Sequence, residues 1–291
     1  MHDELSALAG RLAAAGERPG PPCPDPVNAA MIRNWTQALG DPRTWDDVAP
    51  PAMIQVWSMP GLAPSAGRGV ADDVLRLLES AGYTGVVATD CAQTYDRYVK
   101  LGERLRTTMR FGGVAGPKKT AMGEGYFVTW HQSWYDENGE RVADMLFRVL
   151  KFRPRGTPDA GEGGAGGPES VAPVPPGALA IDLTPTFVIS TAIATRDFTP
   201  VHHDTALARA QGSRDIFVNI LTSVGLVQRC ALEAFPDAEP AGIEVRLGAP
   251  AYAGDTLVLT AERADDRTLR VRGRVGRADH LTATVRLREP R

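Results

Sequence analysis

The sequence predicts an α+β fold that is built twice along one chain, and three observations support that prediction. The chain has 291 residues, which is enough for two domains of about 150 residues each. In each half, segments with helical periodicity come first, and segments rich in β-branched and aromatic residues follow. A Gly- and Pro-rich stretch at 156–178 separates the halves, and we interpret it as a flexible linker. We therefore expect domains at 1–155 and 179–291.

Composition and charge exclude several classes of protein. With 43% hydrophobic residues, 23% charged residues and a net charge of −3, the chain is typical of a globular protein. That balance argues against disorder throughout, a membrane span or a nucleic-acid partner. Three cysteines at unpatterned positions, Cys23, Cys91 and Cys230, favour free thiols over disulfides, and no secretory signal is recognisable. We expect a cytoplasmic protein.

The first half begins with helical patterns. Asp25 and Pro26 are typical of a helix N-cap and first turn, and Gly40 is typical of the end of that helix. A further helix is predicted at 72–80. Five strands are then predicted, at 86–90, 93–99, 105–111, 125–135 and 141–152.

The second half repeats this plan. A strand is predicted at 187–191, a short helix at 205–211 and a longer helix at 218–235. Four more strands are predicted, at 243–252, 256–264, 268–275 and 280–287. In the third of these, arginines at 270, 272 and 274 alternate with apolar residues, so they lie on one face of the strand.

One stretch of the second half combines an acid and a base. Asp197 and His202 flank a turn at Pro200, which fixes one φ angle and lets both side chains converge. An ionised carboxylate beside a neutral imidazole is a suitable acid/base pair near neutral pH. The spacing alone leaves a structural role open, because polar residues are common in turns. A metal site at His202, His203 and Asp204 is the weaker alternative, because neighbouring side chains point apart.

A family resemblance strengthens the catalytic interpretation. The run Arg196-Asp-Phe-Thr-Pro-Val-His-His-Asp204, with Asp215-Ile-Phe-Val-Asn-Ile-Leu-Thr222 and Gly225-Leu226, resembles the hydratase motif of MaoC-like hotdog-fold enoyl-CoA hydratases. Within that family, the C-terminal half resembles the catalytic subunit of the two-subunit hydratases of bacterial steroid side-chain degradation. The resemblance implies a double hotdog, in which each half is a long helix wrapped by an antiparallel sheet.

The first half resembles the non-catalytic subunit of the same hydratases. Three segments carry this resemblance, at 27–35, 49–57 and 116–125. In the family, that subunit usually continues into an OB-fold domain that docks a thiolase-like aldolase. Here the linker and the catalytic half follow directly, so the chain resembles the two subunits fused into one. The absence of the OB-fold domain puts an aldolase partner in doubt.

Recurring landmarks indicate that the two halves are an internal repeat. The pairs are Asp41 with Asp197, Gly61 with Gly225 and Gly102 with Gly254. Five residues after Asp41 the chain has Asp46 in place of a histidine, so we expect no acid/base chemistry in the first half. The spacing from Asp41 to Gly61 is eight residues shorter than its counterpart. We expect that loss to open the groove to a bulky acyl group.

The resemblance also implies roles for individual residues. Asp197 and His202 would activate water for addition to a 2-enoyl-CoA, and the N–H of Ile220 would bind the thioester oxygen, with Asn219 in place of a frequent family histidine. No cofactor or metal is expected beyond the coenzyme A of the substrate. We expect a steroid-derived acyl group and a homodimer of double hotdogs. The alternatives are a hotdog thioesterase and a silent acyl-CoA-binding protein. The arginine row at 270–274 is either a solvated face or a site for coenzyme A phosphates.

Overall fold

The computed structural model describes residues 1–62, 69–120, 122–154 and 174–289. Positions 156–173 of the stretch predicted as a linker, 156–178, lie outside the described residues. The interpretation of this stretch as a flexible linker therefore stays a prediction. Six α-helices occur in the described ranges: α1 (His2–Ala14), α2 (Ala29–Leu39), α3 (Asp72–Ser80), α4 (Pro185–Ala194), α5 (Thr205–Ala210) and α6 (Ile220–Ala234). Two 3₁₀ helices accompany them, at Pro51–Ser58 and Pro200–His202.

Ten strands in the same ranges form the rest of the framework, and all of them belong to one antiparallel sheet. The strands are β1 (Glu17–Pro19), β2 (Gly85–Tyr95), β3 (Arg106–Thr120), β4 (Gly123–Tyr135), β5 (Arg141–Phe152), β6 (Leu179–Asp182), β7 (Pro240–Leu247), β8 (Thr256–Asp265), β9 (Thr268–Val275) and β10 (Ala278–Leu287). Their spatial order is β1-β3-β4-β5-β2-β7-β10-β9-β8-β6. The halves join where β2 pairs with β7, so their sheets are continuous. No helix in the described ranges is long and apolar enough to cross a membrane.

The strand order shows the internal repeat directly. Each half places its five strands in the same sequence from edge to centre, so the halves are related by an approximate twofold rotation. Gly102 N–H donates to the carbonyl of Val27, and Gly254 N–H donates to that of Leu183 in the same way. Both glycines have positive φ, at 87° and 92°. The landmark pair Gly102 and Gly254 is therefore confirmed.

The predicted correspondence between Gly61 and Gly225 is wrong. Isolated bridges join Val48 to Lys100 and Phe217 to Tyr252, so Val48 corresponds to Phe217. Gly225 then lies inside α6, whereas Gly61 lies in a turn beyond the 3₁₀ helix. Asp41 and Val48 are seven positions apart, and Asp197 and Phe217 are 20 positions apart. The first half therefore lacks 13 residues here, not eight, and the missing segment is the one that forms α5.

The central helix also differs between the halves. In the second half α6 has 15 residues, and most of its side chains are buried against the sheet. A close approach to α2 requires Gly225, because a Cβ there would lie 2.6 Å from Leu39 and 2.7 Å from Trp35. In the first half the corresponding segment is the eight-residue 3₁₀ helix Pro51–Ser58. The expectation of a long helix in each half is correct only for the second.

Three local predictions are also wrong. Residues 187–191 lie in α4 because the Thr184 side chain caps the Phe187 N–H and Pro185 fits the first turn, and these signals outweigh β-branched composition. Helix α2 is capped by Asn28, three residues after the predicted cap at Asp25. The strands predicted at 86–90 and 93–99 are the single strand β2, which contains a bulge.

Candidate active site

The end of α4 positions Asp197. Arg196 adopts a left-handed conformation, with φ of 58°, and the Asp197 N–H donates to the carbonyl of Ala192, which closes the helix. The carboxylate Oδ1 then accepts hydrogen bonds from Thr199, at 3.2 Å from its N–H and 2.7 Å from its hydroxyl. These two bonds fix the carboxylate and leave Oδ2 directed toward His202.

His202 comes back toward Asp197 because Pro200 starts a 3₁₀ turn. His202 Nε2 lies 3.6 Å from Asp197 Oδ2, and the two side chains are only 11% and 13% exposed. His202 Nδ1 lies 2.8 Å from the Phe217 carbonyl oxygen, so Nδ1 carries the proton and donates it. In the neutral ring Nε2 is thus an acceptor, and it faces a second acceptor beyond direct hydrogen-bond range. One water molecule can donate to both.

The neighbouring polar residues have structural partners. His203 Nε2 lies 2.9 Å from the Phe198 carbonyl oxygen, and the Asp204 carboxylate caps α5 at the Leu207 N–H. No group of metal-ligating side chains is found in the part of the chain that the structure describes. The arrangement gives no support to the metal alternative.

Asn219 and Ile220 lie at the N-terminus of α6. The Asn219 Oδ1 accepts from the Thr222 N–H at 2.7 Å, and its Nδ2 donates to the Thr195 hydroxyl at 2.8 Å. Its side chain therefore ties the end of α4 to the start of α6. Within the described ranges, the Ile220 N–H has no hydrogen-bond acceptor. A free N–H at the positive end of a 15-residue helix is suited to an oxyanion.

The corresponding place in the first half lacks both groups. Trp45 Nε1 donates to Asp41 Oδ2 at 3.2 Å, so an indole occupies the place of the imidazole. Because Val48 corresponds to Phe217, the residue that corresponds to Ile220 is Pro51, which has no N–H. A count of five residues from the aspartate, taken from the second half, pointed to Asp46 and missed Trp45. The count fails because the segment after Asp41 is shorter than the segment after Asp197.

His280 is a buried histidine that sequence reasoning did not single out. Its Nδ1 lies 2.8 Å from the Ala249 carbonyl oxygen, and its Nε2 lies 3.2 Å from the Ser223 hydroxyl. Burial lowers its pKa, so the ring is neutral at neutral pH. His280 therefore links β10 to the first turn of α6 and supports the position of Ile220.

Two of the three arginines in the row on β9 lie beside one carboxylate, that of Asp279. Arg272 pairs with Asp279 through two nitrogens, at 2.8 and 2.7 Å, and Arg274 lies 3.6 Å from the same carboxylate. Arg270 and Arg272 line a groove of about 670 Å³ along the central strands, and that groove includes neither Asp197 nor His202. These contacts favour the solvated-face interpretation.

Comparisons with known proteins identify relatives of this chain. It is 42% identical over 174 residues to the 3-oxo-4,17-pregnadiene-20-carboxyl-CoA hydratase alpha subunit of Mycobacterium tuberculosis, which covers 54% of this chain and 55% of the relative. It is 54% identical over 108 residues to the beta subunit of that hydratase, which covers 35% of this chain and 84% of the relative. The chain thus spans about half the length of the alpha subunit it matches. No family model matches the chain.

The fold has close structural counterparts. The crystal structure of a MaoC-like dehydratase from Phytophthora capsici superposes with a TM-score of 0.71, covers 97% of this chain and 99% of its own length, and is 14% identical. That likeness concerns the fold alone, and it confirms the predicted double hotdog. The relationship to the beta subunit, which this chain covers over most of its length, confirms the predicted family. The chain belongs to the MaoC-like hotdog family of enoyl-CoA hydratase subunits.

Proposed function

We propose that this protein adds water across the α,β double bond of a bulky, steroid-derived 2-enoyl-CoA and forms the 3-hydroxyacyl-CoA. The observation that carries the proposal is the pairing of Asp197 Oδ2 with His202 Nε2 across 3.6 Å in the half that also has a free N–H at Ile220. The names of the two hydratase subunits that the chain resembles support the substrate class.

The proposed mechanism uses the chain's own residues. Asp197 and His202 hold one water, and His202 Nε2 takes its proton as the oxygen adds to the β-carbon. Negative charge then develops on the thioester oxygen, where the Ile220 N–H and the α6 N-terminus stabilise it. The same acid/base pair returns a proton to the α-carbon. Asn219 positions the donor through its contact with Thr195.

Each half has a distinct role in this proposal. Residues 179–291 form the catalytic hotdog, and residues 1–155 form the substrate-holding hotdog. Trp45 and Pro51 give the first half neither a base nor an oxyanion donor. The reaction needs no cofactor apart from the coenzyme A that the substrate carries. We place the protein in the cytoplasm, which cell fractionation tests.

Substrate size gives the first expected result. The first half lacks 13 residues where the second half forms α5, and we infer that this loss leaves room for a fused ring system. Burial of an extra ~100 Å² of apolar surface contributes about 2.5 kcal/mol before the cost of association. We therefore expect kcat/KM for a steroid-derived enoyl-CoA to exceed that for crotonyl-CoA by about tenfold or more. Loss of enoyl absorbance measures both rates.

A chimera provides the matched control for substrate size. Insertion of residues 204–216 of the second half between Asp41 and Val48 should impair the bulky substrate and spare crotonyl-CoA. Equal or better hydration of crotonyl-CoA by the unmodified protein would overturn the assignment of a bulky acyl group. Hydration of either substrate would still support the reaction itself.

We also propose that two chains associate as a dimer of double hotdogs. Two relatives of this chain are alpha and beta subunits of one hydratase, which supports assembly of several hotdogs. Sedimentation at working concentration should give twice the mass of one chain. A single species with the mass of one chain would rule out the dimer.

A further inference from the structure

Arg196 has an unfavourable backbone conformation next to the catalytic pair. It is the one non-glycine residue with positive φ in the described ranges, at 58°. At the corresponding position of the first half, Gly40 adopts nearly the same φ, 65°, and also ends a helix before an aspartate. Glycine accepts this conformation without strain, whereas a residue with a Cβ does not. An arginine at this position is therefore explained by its side chain, not by the turn.

The Arg196 guanidinium lies between the two halves, and among the described residues it has few partners for its positive charge. Its one hydrogen bond to the described residues joins Nη1 to Asp25 Oδ2 at 3.5 Å, the limit of such a bond. Its Nε is buried without a partner. The side chain packs on the backbone of Gly61, where a Cβ would come within 3.2 Å of Nη2. A guanidinium has five N–H donors, so the described residues use only a small part of its capacity.

The side chain can also be reached by a ligand. It is 28% exposed, and the carboxylate of Asp25 is 54% exposed, so the weak ion pair lies at the surface of the junction. In the proposed substrate the acyl group is apolar, and negative charge is concentrated on the phosphates of coenzyme A. Guanidinium groups bind phosphates through paired N–H donors.

We propose that Arg196 binds a phosphate group of the coenzyme A moiety and that Asp25 occupies the guanidinium when no substrate is bound. This inference rests on the proposed function, because it takes the substrate to be a coenzyme A thioester. It assigns phosphate recognition to the residue directly before the catalytic aspartate, on the catalytic half, and assigns Gly61 of the first half as the surface that supports the guanidinium.

The test compares one enoyl group on two carriers, coenzyme A and pantetheine, which lacks phosphates. In Arg196→Gly, the ratio of kcat/KM for the coenzyme A thioester over the pantetheine thioester should fall by about 10- to 100-fold, the range for one lost charged hydrogen-bonding group. Arg196→Lys should restore part of that ratio. Glycine relieves the positive φ, so Arg196→Gly should melt no lower than the wild type.

A second variant separates phosphate binding from a purely structural ion pair. Asp25→Asn removes the ion pair between Asp25 and Arg196 by changing the carboxylate. It should leave the ratio of kcat/KM for the two thioesters unchanged or raise it, because the Asp25 carboxylate would no longer compete with the phosphate for Arg196. An unchanged ratio in Arg196→Gly would overturn the proposal and indicate that Arg196 only positions Asp197. If the ratio fell as far in Asp25→Asn as in Arg196→Gly, the proposal would also be overturned, and the ion pair between the two halves would explain the effect.

Calorimetric titration with free coenzyme A keeps this inference separate from the reaction. Wild-type protein should bind coenzyme A about 10- to 100-fold more tightly than pantetheine, and Arg196→Gly should lose that difference. If no enoyl thioester were hydrated but this difference held, the reaction would be wrong and the phosphate site would stand. If hydration occurred and Arg196→Gly bound coenzyme A as tightly as the wild type, only the phosphate site would fail.

Discussion

Asp197→Asn is expected to lower kcat for enoyl-CoA hydration by about 10²- to 10⁴-fold, the usual effect of removing a positioned acid/base group. The amide keeps the shape of the side chain and can still accept from Thr199, so the turn should survive. It removes the charge and one of the two acceptors that face the water. For His202→Gln, kcat should fall by a similar factor, because no basic nitrogen would then face Asp197 Oδ2.

The first half provides the matched controls. Asp41→Asn changes the corresponding carboxylate, which accepts from the Trp45 indole instead of facing a histidine. Asp46 lies five residues after Asp41, as His202 lies five residues after Asp197, and Asp46→Asn changes that residue. Both variants should hydrate the substrate at rates close to the wild type. Near-full turnover by folded Asp197→Asn, or a comparable loss in Asp41→Asn, would contradict the assignment of the catalytic half.

Ile220→Pro should lower kcat by about 10²- to 10³-fold with little change in the fold, as expected for the loss of one oxyanion donor. Among backbone hydrogen-bond donors proline removes only the N–H in question, and proline is favoured at the first position of a helix. Asn219 has φ of −79° and ψ of 166°, which suit a residue before proline. Pro51 at the corresponding position of the first half shows that this repeat accommodates the ring.

A second substitution at the same position separates the N–H from the side chain. Ile220→Val retains the donor and removes one methylene from a buried side chain, at a cost to stability of about 0.5–1.5 kcal/mol. Its kcat should stay near that of the wild type. Equal activity of Ile220→Pro and Ile220→Val would show that another group stabilises the thioester oxygen.

Features that depend on short stretches of sequence could be predicted correctly, in both halves. Pro200 imposes a turn, so the approach of Asp197 and His202 follows from local geometry, and the structure brings them within 3.6 Å. Helix α3 begins and ends as predicted, because its apolar residues recur at helical spacing and Gly82 follows it. The boundaries of β9 also agree, because arginines and apolar residues alternate along it.

The errors have identifiable physical causes. Residues 187–191 are rich in β-branched side chains, but the cap at Thr184 and the proline at 185 start a helix, and tertiary packing retains it. The true length of the missing segment, 13 residues, depends on the bridges of Val48 and Phe217, which join positions far apart in sequence. The contact between Trp45 and Asp41 likewise depends on how a shortened loop folds.

Mass spectrometry of the acyl-CoA pool tests the central claim most directly. The full chain is incubated with a steroid-derived enoyl-CoA, and free thiol is measured in the same samples. We expect a thioester that gains the mass of one water and no release of free coenzyme A. Over the same incubation, Asp197→Asn should leave the enoyl-CoA almost entirely unhydrated. Release of free coenzyme A with unhydrated acid would contradict it and identify a thioesterase, and an unchanged enoyl-CoA that remains bound would identify a binding protein.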